Sequence, residues 1–302
     1  MILEVGLGGA HDATNIADAE VAVITPIDLD HTHLLGTSAV EIAAEKAGII
    51  KPGAMAVLAG QSREVAEVLL ARCADVGAMP YREGVDFSLL DRTVAVGGQV
   101  VRLQAAGGPV EDVMLPLHGA HQARNAALAL GAVSAFGGMA SLDDEVVREG
   151  FADVTMPGRL EVVRRTPPIV LDGAHNPHGA AAAALGVAEA FSFRPCVGVV
   201  AAMGDKDVIG ILQAWSEVFD HVICTQPAST DRAMAAADLA DRAAEVFDRS
   251  RVEAVPQLDE ALTRAVEVVD ADPDGNGGVV VTGSIIMVGE ARNLLGRTED
   301  EQ

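Results

Sequence analysis

Pro168-Ile-Val-Leu171-Asp172-Gly-Ala-His175-Asn176-Pro177 is a short apolar run that delivers an acid, an imidazole and an amide to a turn. Residues 169–171 read as a strand, and the alanine-rich run 179–190 reads as a helix. In an open α/β sheet, ligands collect at the carboxyl ends of strands. The first turn of a helix also offers unpaired N–H groups to an anion. Capping of the helix by Asp172 and Asn176 accounts for the same residues without any ligand. Both readings predict a strand–turn–helix unit.

Working outward toward the C-terminus, β-branched runs at 197–201, 222–225, 252–255 and 279–282 alternate with helical patterns at 208–218, 233–247, 258–269 and 286–295. Such alternation implies a parallel sheet with helices on both faces. Toward the N-terminus, Thr155-Met-Pro157-Gly158 marks a joint between two domains, 1–156 and 157–302. The short alternating segments between residues 85 and 117, punctuated by Gly97-Gly98 and Gly107-Gly108, predict hairpins. Before them, apolar runs at 1–5, 21–25 and 57–59 predict strands, and 41–49 and 64–76 predict helices.

Half of the 302 residues are hydrophobic and only 3% are aromatic, so the cores are built from Ala, Val, Leu and Ile. A formal charge of −23 argues against nucleic acid and against anionic membrane surfaces as partners. Cys73, Cys196 and Cys224 are far apart and lack metal-like spacing, which suits reduced thiols in the cytoplasm. The uncharged run 125–142 approaches membrane-span length but is Ala/Gly-rich, which fits a buried helix.

Gly6-Leu-Gly8-Gly9 is not a dinucleotide fingerprint, because the third glycine of the pattern would fall at His11. No G-x-x-x-x-G-K-[ST] phosphate loop occurs anywhere in these residues. Pro26-Ile-Asp28-Leu-Asp30-His31-Thr-His33 gathers oxygen and imidazole ligands directly after a strand. Lysine occurs only at Lys46, Lys51 and Lys206.

Glu4-Val-Gly-Leu-Gly-Gly9, Asp12-Ala-Thr-Asn15, Leu29-Asp-His31-Thr, Glu45-Lys-Ala-Gly-Ile-Ile50, His121-Gln122…Asn125, Pro157-Gly-Arg159, Asp172-Gly-Ala-His-Asn-Pro177, Gly204-Asp-Lys-Asp207 and Thr282-Gly-Ser284 follow one another in this order. Together they resemble the folylpolyglutamate synthase/dihydrofolate synthase family of the Mur-ligase superfamily. The resemblance implies an α/β chain: a P-loop-type Mur ligase central ATPase domain, here incomplete, followed by a Rossmann-like C-terminal domain. It further implies an ATP-dependent amide ligase that adds L-glutamate to dihydropteroate or folate through an acyl phosphate.

The same resemblance supplies roles. Glu4 and His31 would ligate Mg2+, which favours carboxylate oxygens. Lys46 would be carbamylated, a change open to a desolvated lysine but not to arginine. Asn125, Arg159 and Asp172 would hold ATP, with Arg159 directing its fork at phosphate. His175 would stabilise the acyl phosphate or orient the glutamate amine, and His11, Asp12 and Ala13 would contact the pterin substrate. Relatives usually carry Arg-Leu where this chain has Ala10-His11. The expected partners are small molecules only, acting on a cytoplasmic monomer. Absence of the phosphate loop leads us to expect impaired activity. A non-catalytic nucleotide- or folate-binding remnant, or another Mur-type peptide ligase, are the alternatives.

Overall fold

The structure, a computed structural model, describes residues 1–29, 32–272 and 275–300. The chain divides into two compact units: Met1–Thr93 with Gln99–Pro116 and His121–Val154, and Thr155–Gln302 with Val94–Gly98 and Leu117–Ala120.

In the first unit, β1 (Val21–Ile24), β2 (Met55–Leu58) and β3 (Met79–Arg82) form a parallel sheet in the order β1-β2-β3. After the short α1 (Thr32–Leu35) come α2 (Ala39–Ala47) and α3 (Arg63–Val76). Ala43, Ala47, Val65, Leu69 and Cys73 of α2 and α3 share a core with Ala22, Ile24, Ala56 and Leu58 of the strands. Ser38 starts α2 with a reciprocal capping box, its hydroxyl accepting from the Glu41 N–H. A second sheet, β4 (Ser88–Ala95), β5 (Gly98–Ala105) and β6 (Gly108–Leu115), is the expected run of hairpins, turned by Gly97 and Gly107 at positive φ. α4 (Ala120–Phe136) and α5 (Asp144–Ala152) complete the unit. Of the uncharged run 125–142, residues 125–136 lie within α4, with Ala126, Ala127 and Leu130 buried, while 137–142 lie beyond its end and are mostly exposed.

One expected strand is not there. Residues 1–5 join no sheet, and Met1, Ile2 and Leu3 are exposed. Apolar alternation favours a strand only where a neighbour completes the ladder, and residues 1–5 pair with neither β1 nor β3.

The second unit is a six-stranded sheet in the order β11-β10-β9-β12-β8-β7. β8 (Pro168–Leu171), β9 (Cys196–Val200), β10 (His221–Cys224), β11 (Val252–Ala254) and β12 (Gly278–Thr282) run parallel. β7 (Glu161–Arg165) runs antiparallel at the edge, with a register shift between Val162 and Arg164. The side-chain period of 2 sorts each strand between two cores. Val170, Val200, Val222 and Val280 pack with α6 (Pro177–Ala190), α7 (Val208–Ala214) and α8 (Ala236–Ala243). Ile169, Leu171, Val197, Val199, Ile223, Val279 and Val281 pack with α9 (Leu258–Asp270) and α10 (Ile285–Asp300). Trp215, fully buried, stacks on Phe219 with ring centroids 4.5 Å apart.

Candidate functional site

In the first unit the structure draws two sequence motifs onto one junction. The loop 6–12 lies against the C-terminal turn of α2. A Cβ on Gly9 would stand 2.7 Å from the Glu45 carbonyl oxygen and 2.9 Å from Lys46 Cα, so only glycine permits this approach. The Ala10 N–H donates to the Glu45 carbonyl (2.9 Å), and Asn15 Nδ2 donates to the carbonyls of Ala10 (2.9 Å) and Gly48 (3.4 Å). Lys51 Nζ donates to Asn15 O (2.8 Å).

Both Asp12 oxygens are engaged inside this loop. Oδ1 accepts from the Thr14 N–H and hydroxyl, and Oδ2 from the Leu7 N–H. The Thr14 hydroxyl, then the Leu7 and Thr14 N–H groups, hold its carboxyl at a pKa of about 2. Asp12 thereby caps a 3-10 turn, Ala13–Ile16, in which Ala13 is exposed. The His11 ring, 90% exposed, meets the Glu45 carboxylate. Lys46 is half-buried, and its ammonium makes no ion pair or hydrogen bond among the described residues. Asn125, exposed on α4, donates to Gln122 Oε1 (3.2 Å).

Glu4 lies exposed in the unpaired 1–5 segment. His31 lies outside the described residues. Among the described residues no three His, Cys, Asp or Glu side chains are grouped to hold a metal ion. The fit of a magnesium ion therefore rests on Glu4, whose oxygens are of the kind it prefers.

In the second unit, Asp172 follows β8 directly and is 3% exposed. Its Oδ2 accepts from the Leu160 N–H (3.0 Å) and its Oδ1 from the Ala174 N–H (2.9 Å). Burial pushes this carboxyl up, against the pull of those two N–H groups and the charges of Arg159 and His175. The Gly173 N–H donates to Gly158 O (2.8 Å), as does Arg159 Nη1 (3.1 Å). A Cβ on Gly173 would lie 2.7 Å from Arg159 Nη1. Arg159, Asp172 and the two glycines thus form one compact turn at the carboxyl end of β8. Arg159 makes no ion pair with a carboxylate among the described residues, so most of its five N–H donors stay open to an anion. His175 Nδ1 lies 3.0 Å from Gly173 O, and Asn176 caps α6 by accepting from the Gly179 N–H (2.8 Å). Beside β8, β12 ends in Thr282-Gly283-Ser284, with Gly283 at φ +98°. Beyond β9, Asp205 is held by Arg232 at 3.0 and 3.1 Å.

Residues 158–285 match the family described as Mur ligase, glutamate ligase domain. Dihydrofolate synthase/folylpolyglutamate synthase of Bacillus subtilis is 32% identical over 98% of this chain and 67% of its own length. Mycobacterium tuberculosis folylpolyglutamate synthase complexed with ADP superposes with a TM-score of 0.92 and 49% identity, over 97% of this chain and 67% of that one. The chain belongs to the folylpolyglutamate synthase/dihydrofolate synthase family. The M. tuberculosis dihydrofolate synthase/folylpolyglutamate synthase is 48% identical over 98% of this chain and 64% of its own sequence. This member of the family therefore spans under two thirds of that relative's length. An Escherichia coli relative solved in complex with DHPP and ADP aligns at 29% identity and a TM-score of 0.82, over 98% of this chain and 66% of that one.

Of the expected site residues, His11, Asp12, Ala13 and Lys46 meet at the loop–α2 junction, and Arg159, Asp172 and His175 meet at the β8 turn. Glu45 stands at the same junction, and the resemblance implies no role for it. Its position one residue before Lys46 was a signal, but its contacts reach 34 residues back along the chain.

Proposed function

We propose that this chain carries out ATP-dependent amide ligation, joining the amine of L-glutamate to a carboxylate of dihydropteroate or a folate. The reading is supported above all by the 48% identity that runs through 98% of the chain. The γ-phosphoryl group of ATP passes to the carboxylate, giving an acyl phosphate and ADP. The glutamate nitrogen then attacks the acyl carbon, the C–O bond to phosphate breaks, phosphate leaves with the electron pair and the amine gives up a proton. Such a transfer depends on positioning and on charge stabilisation.

Arg159 offers an open guanidinium to phosphate oxygens, and a bidentate fork suits that geometry. Asp172 shapes the turn that carries Arg159 and would meet the nucleotide ribose, and Asn125 is the nucleotide contact the resemblance implies in the first unit. His175 stands at the start of α6, where a developing anion is stabilised. Glu4 and His31 would hold Mg2+, which neutralises phosphate charge when bound. Lys46 suits carbamylation because it is half-buried and unpaired among the described residues, whereas Lys51 is tied to Asn15 O. His11, Asp12 and Ala13 would face the pterin.

The test is ADP release by the purified chain with ATP, dihydropteroate and glutamate, followed with and without added bicarbonate. The expected result is weak turnover that still needs all three substrates, in keeping with the absent phosphate loop, and a Lys46→Arg variant slowed on the order of 10–100-fold further, the usual cost of disturbing support around a metal site. Turnover independent of glutamate, or a Lys46→Arg variant as fast as the wild type, would overturn the reading.

A further inference from the structure

The exposed ring of His11 is held from one side only. Its Nδ1 lies 3.2 Å from Glu45 Oε1 and 3.1 Å from Oε2, and its backbone N–H donates to Glu45 Oε1 at 3.1 Å. Glu45 is itself half-buried. Burial opposes its ionisation, but the His11 N–H, the His11 ring and the Gly9 N–H prevail and hold its carboxyl below the ordinary value. An ionised carboxylate only accepts hydrogen bonds, so Nδ1 must carry the hydrogen. In a neutral imidazole the other nitrogen is then bare and can only accept.

The frame around this pair is fixed. Gly9 and Gly48 allow no side chain at the loop–helix contact: a Cβ on Gly48 would reach within 2.4 Å of Ala10 Cβ. Asn15 and Lys51 tie the loop down from the other side. The Glu45 carboxylate is the contact that holds Nδ1, and with the side chain 90% exposed, Nε2 is the nitrogen open to a ligand.

We infer that Glu45 is a positioning residue that locks His11 in its Nδ1–H tautomer, so that Nε2 presents a hydrogen-bond acceptor to an N–H-bearing edge of the pterin substrate. The inference rests on the ligase reading for the identity of the ligand, but not for the tautomer. It assigns Glu45, the residue next to Lys46, to substrate selection, and it favours heterocycles whose near edge donates over those whose near edge accepts.

The full chain labelled with 15N-histidine carries 8 imidazoles, and the His11 signals are identified by their loss in His11→Gln. At about pH 8 the two-bond 1H–15N pattern of His11 should show a protonated Nδ1 and a bare Nε2. Glu45→Ala should release the ring to the Nε2–H form that free imidazole prefers. Glu45→Gln offers Nδ1 both an acceptor oxygen and a donor NH2, and should retain the Nδ1–H form in part. Calorimetric titration with dihydropteroate should follow the same order. Affinity should fall about tenfold in Glu45→Ala and His11→Gln, as loss of one hydrogen bond implies, and recover in part in Glu45→Gln.

An Nε2–H signature in the wild type would overturn the inference. So would an unchanged tautomer in Glu45→Ala, or equal loss of affinity in Glu45→Ala and Glu45→Gln. Failure of the wild type to bind dihydropteroate would instead overturn the ligand half and the ligase reading with it, while the spectra decide the role of Glu45 separately.

Discussion

Replacing Asp172 with asparagine tests whether the buried acid acts as a clamp on the turn that carries Arg159. Asparagine keeps one acceptor oxygen and puts an NH2 group against the second backbone N–H. Either the Leu160 N–H or the Ala174 N–H then loses its partner. Losing a hydrogen bond to a charged acceptor costs roughly 1.5–3 kcal/mol. The substitution also removes a charge that burial disfavours, which offsets part of the loss. A net destabilisation of about 1–2 kcal/mol remains at neutral pH, equivalent to a Tm lowered by roughly 2–8 °C in a unit of this size. Urea or thermal unfolding followed by tryptophan fluorescence measures it cleanly, because Trp215 is the one tryptophan in the chain and sits in the core beneath this sheet. The sign of the pH dependence follows from the raised carboxyl pKa. Relative to the non-titrating asparagine, the wild type has its largest margin below the unfolded value of 3.8 and gives up part of it as the pH climbs through the folded one. The gap between wild type and variant should therefore narrow as the pH rises. An unchanged or raised midpoint in Asp172→Asn, or a gap that widens with pH, would refute the clamp.

Three further outcomes are expected. Gly9→Ala sets a methyl group against backbone atoms of Glu45 and Lys46 at 2.7 and 2.9 Å, an overpacking cost of about 1–3 kcal/mol. Limited proteolysis should cut the 6–16 loop faster in this variant, and an unaltered cleavage rate would count against the tight junction. Arg159→Lys retains the charge but not the fork, so ADP should bind about tenfold more weakly; equal affinity in a fluorescent-ADP titration would remove Arg159 from the phosphate site. His118 packs on Phe191 (4.8 Å between ring centroids), and burial holds its imidazole below the usual 6.5. A histidine buried in its neutral form loses stability as the pH falls below the unfolded value. Urea midpoints at about pH 5 and about pH 8 should diverge in the wild type, and the His118 share of that difference should vanish in His118→Leu.

Much of the second unit was legible because its parallel strands are buried on both faces. Val279, Val280 and Val281, like Val197, Val199 and Val200, form unbroken apolar runs that can be little else. The strands that the residue pattern does not reveal are of another kind. β7 reads Glu-Val-Val-Arg-Arg and β3 reads Met-Pro-Tyr-Arg, half-exposed edge strands whose charges and proline hide the pattern. The helix expected over 233–247 contracts to α8, whose start at Ala235 has no side-chain cap. Residues 1–5 show the converse, an apolar composition with no neighbouring strand to complete a ladder. At the site, the motifs pointed to Arg159, Asp172 and Lys46. That Asp172 would hold the Leu160 N–H, or that Glu45 would hold His11, was not legible, since both contacts depend on how separate segments come together.

The two flanks of the six-stranded sheet have a bearing on how the protein behaves at high concentration. On one side β11 offers only three residues to a newcomer. On the other, β7 runs against the direction of its neighbours, shifts register partway and carries Glu161, Arg164 and Arg165. A stray chain seeking to extend the sheet meets too short a template at one margin and a kinked, charged one at the other. Concentrated solutions should accordingly resist fibril growth seeded from this unit, despite an interior made almost wholly of the valine-rich strands that such growth favours.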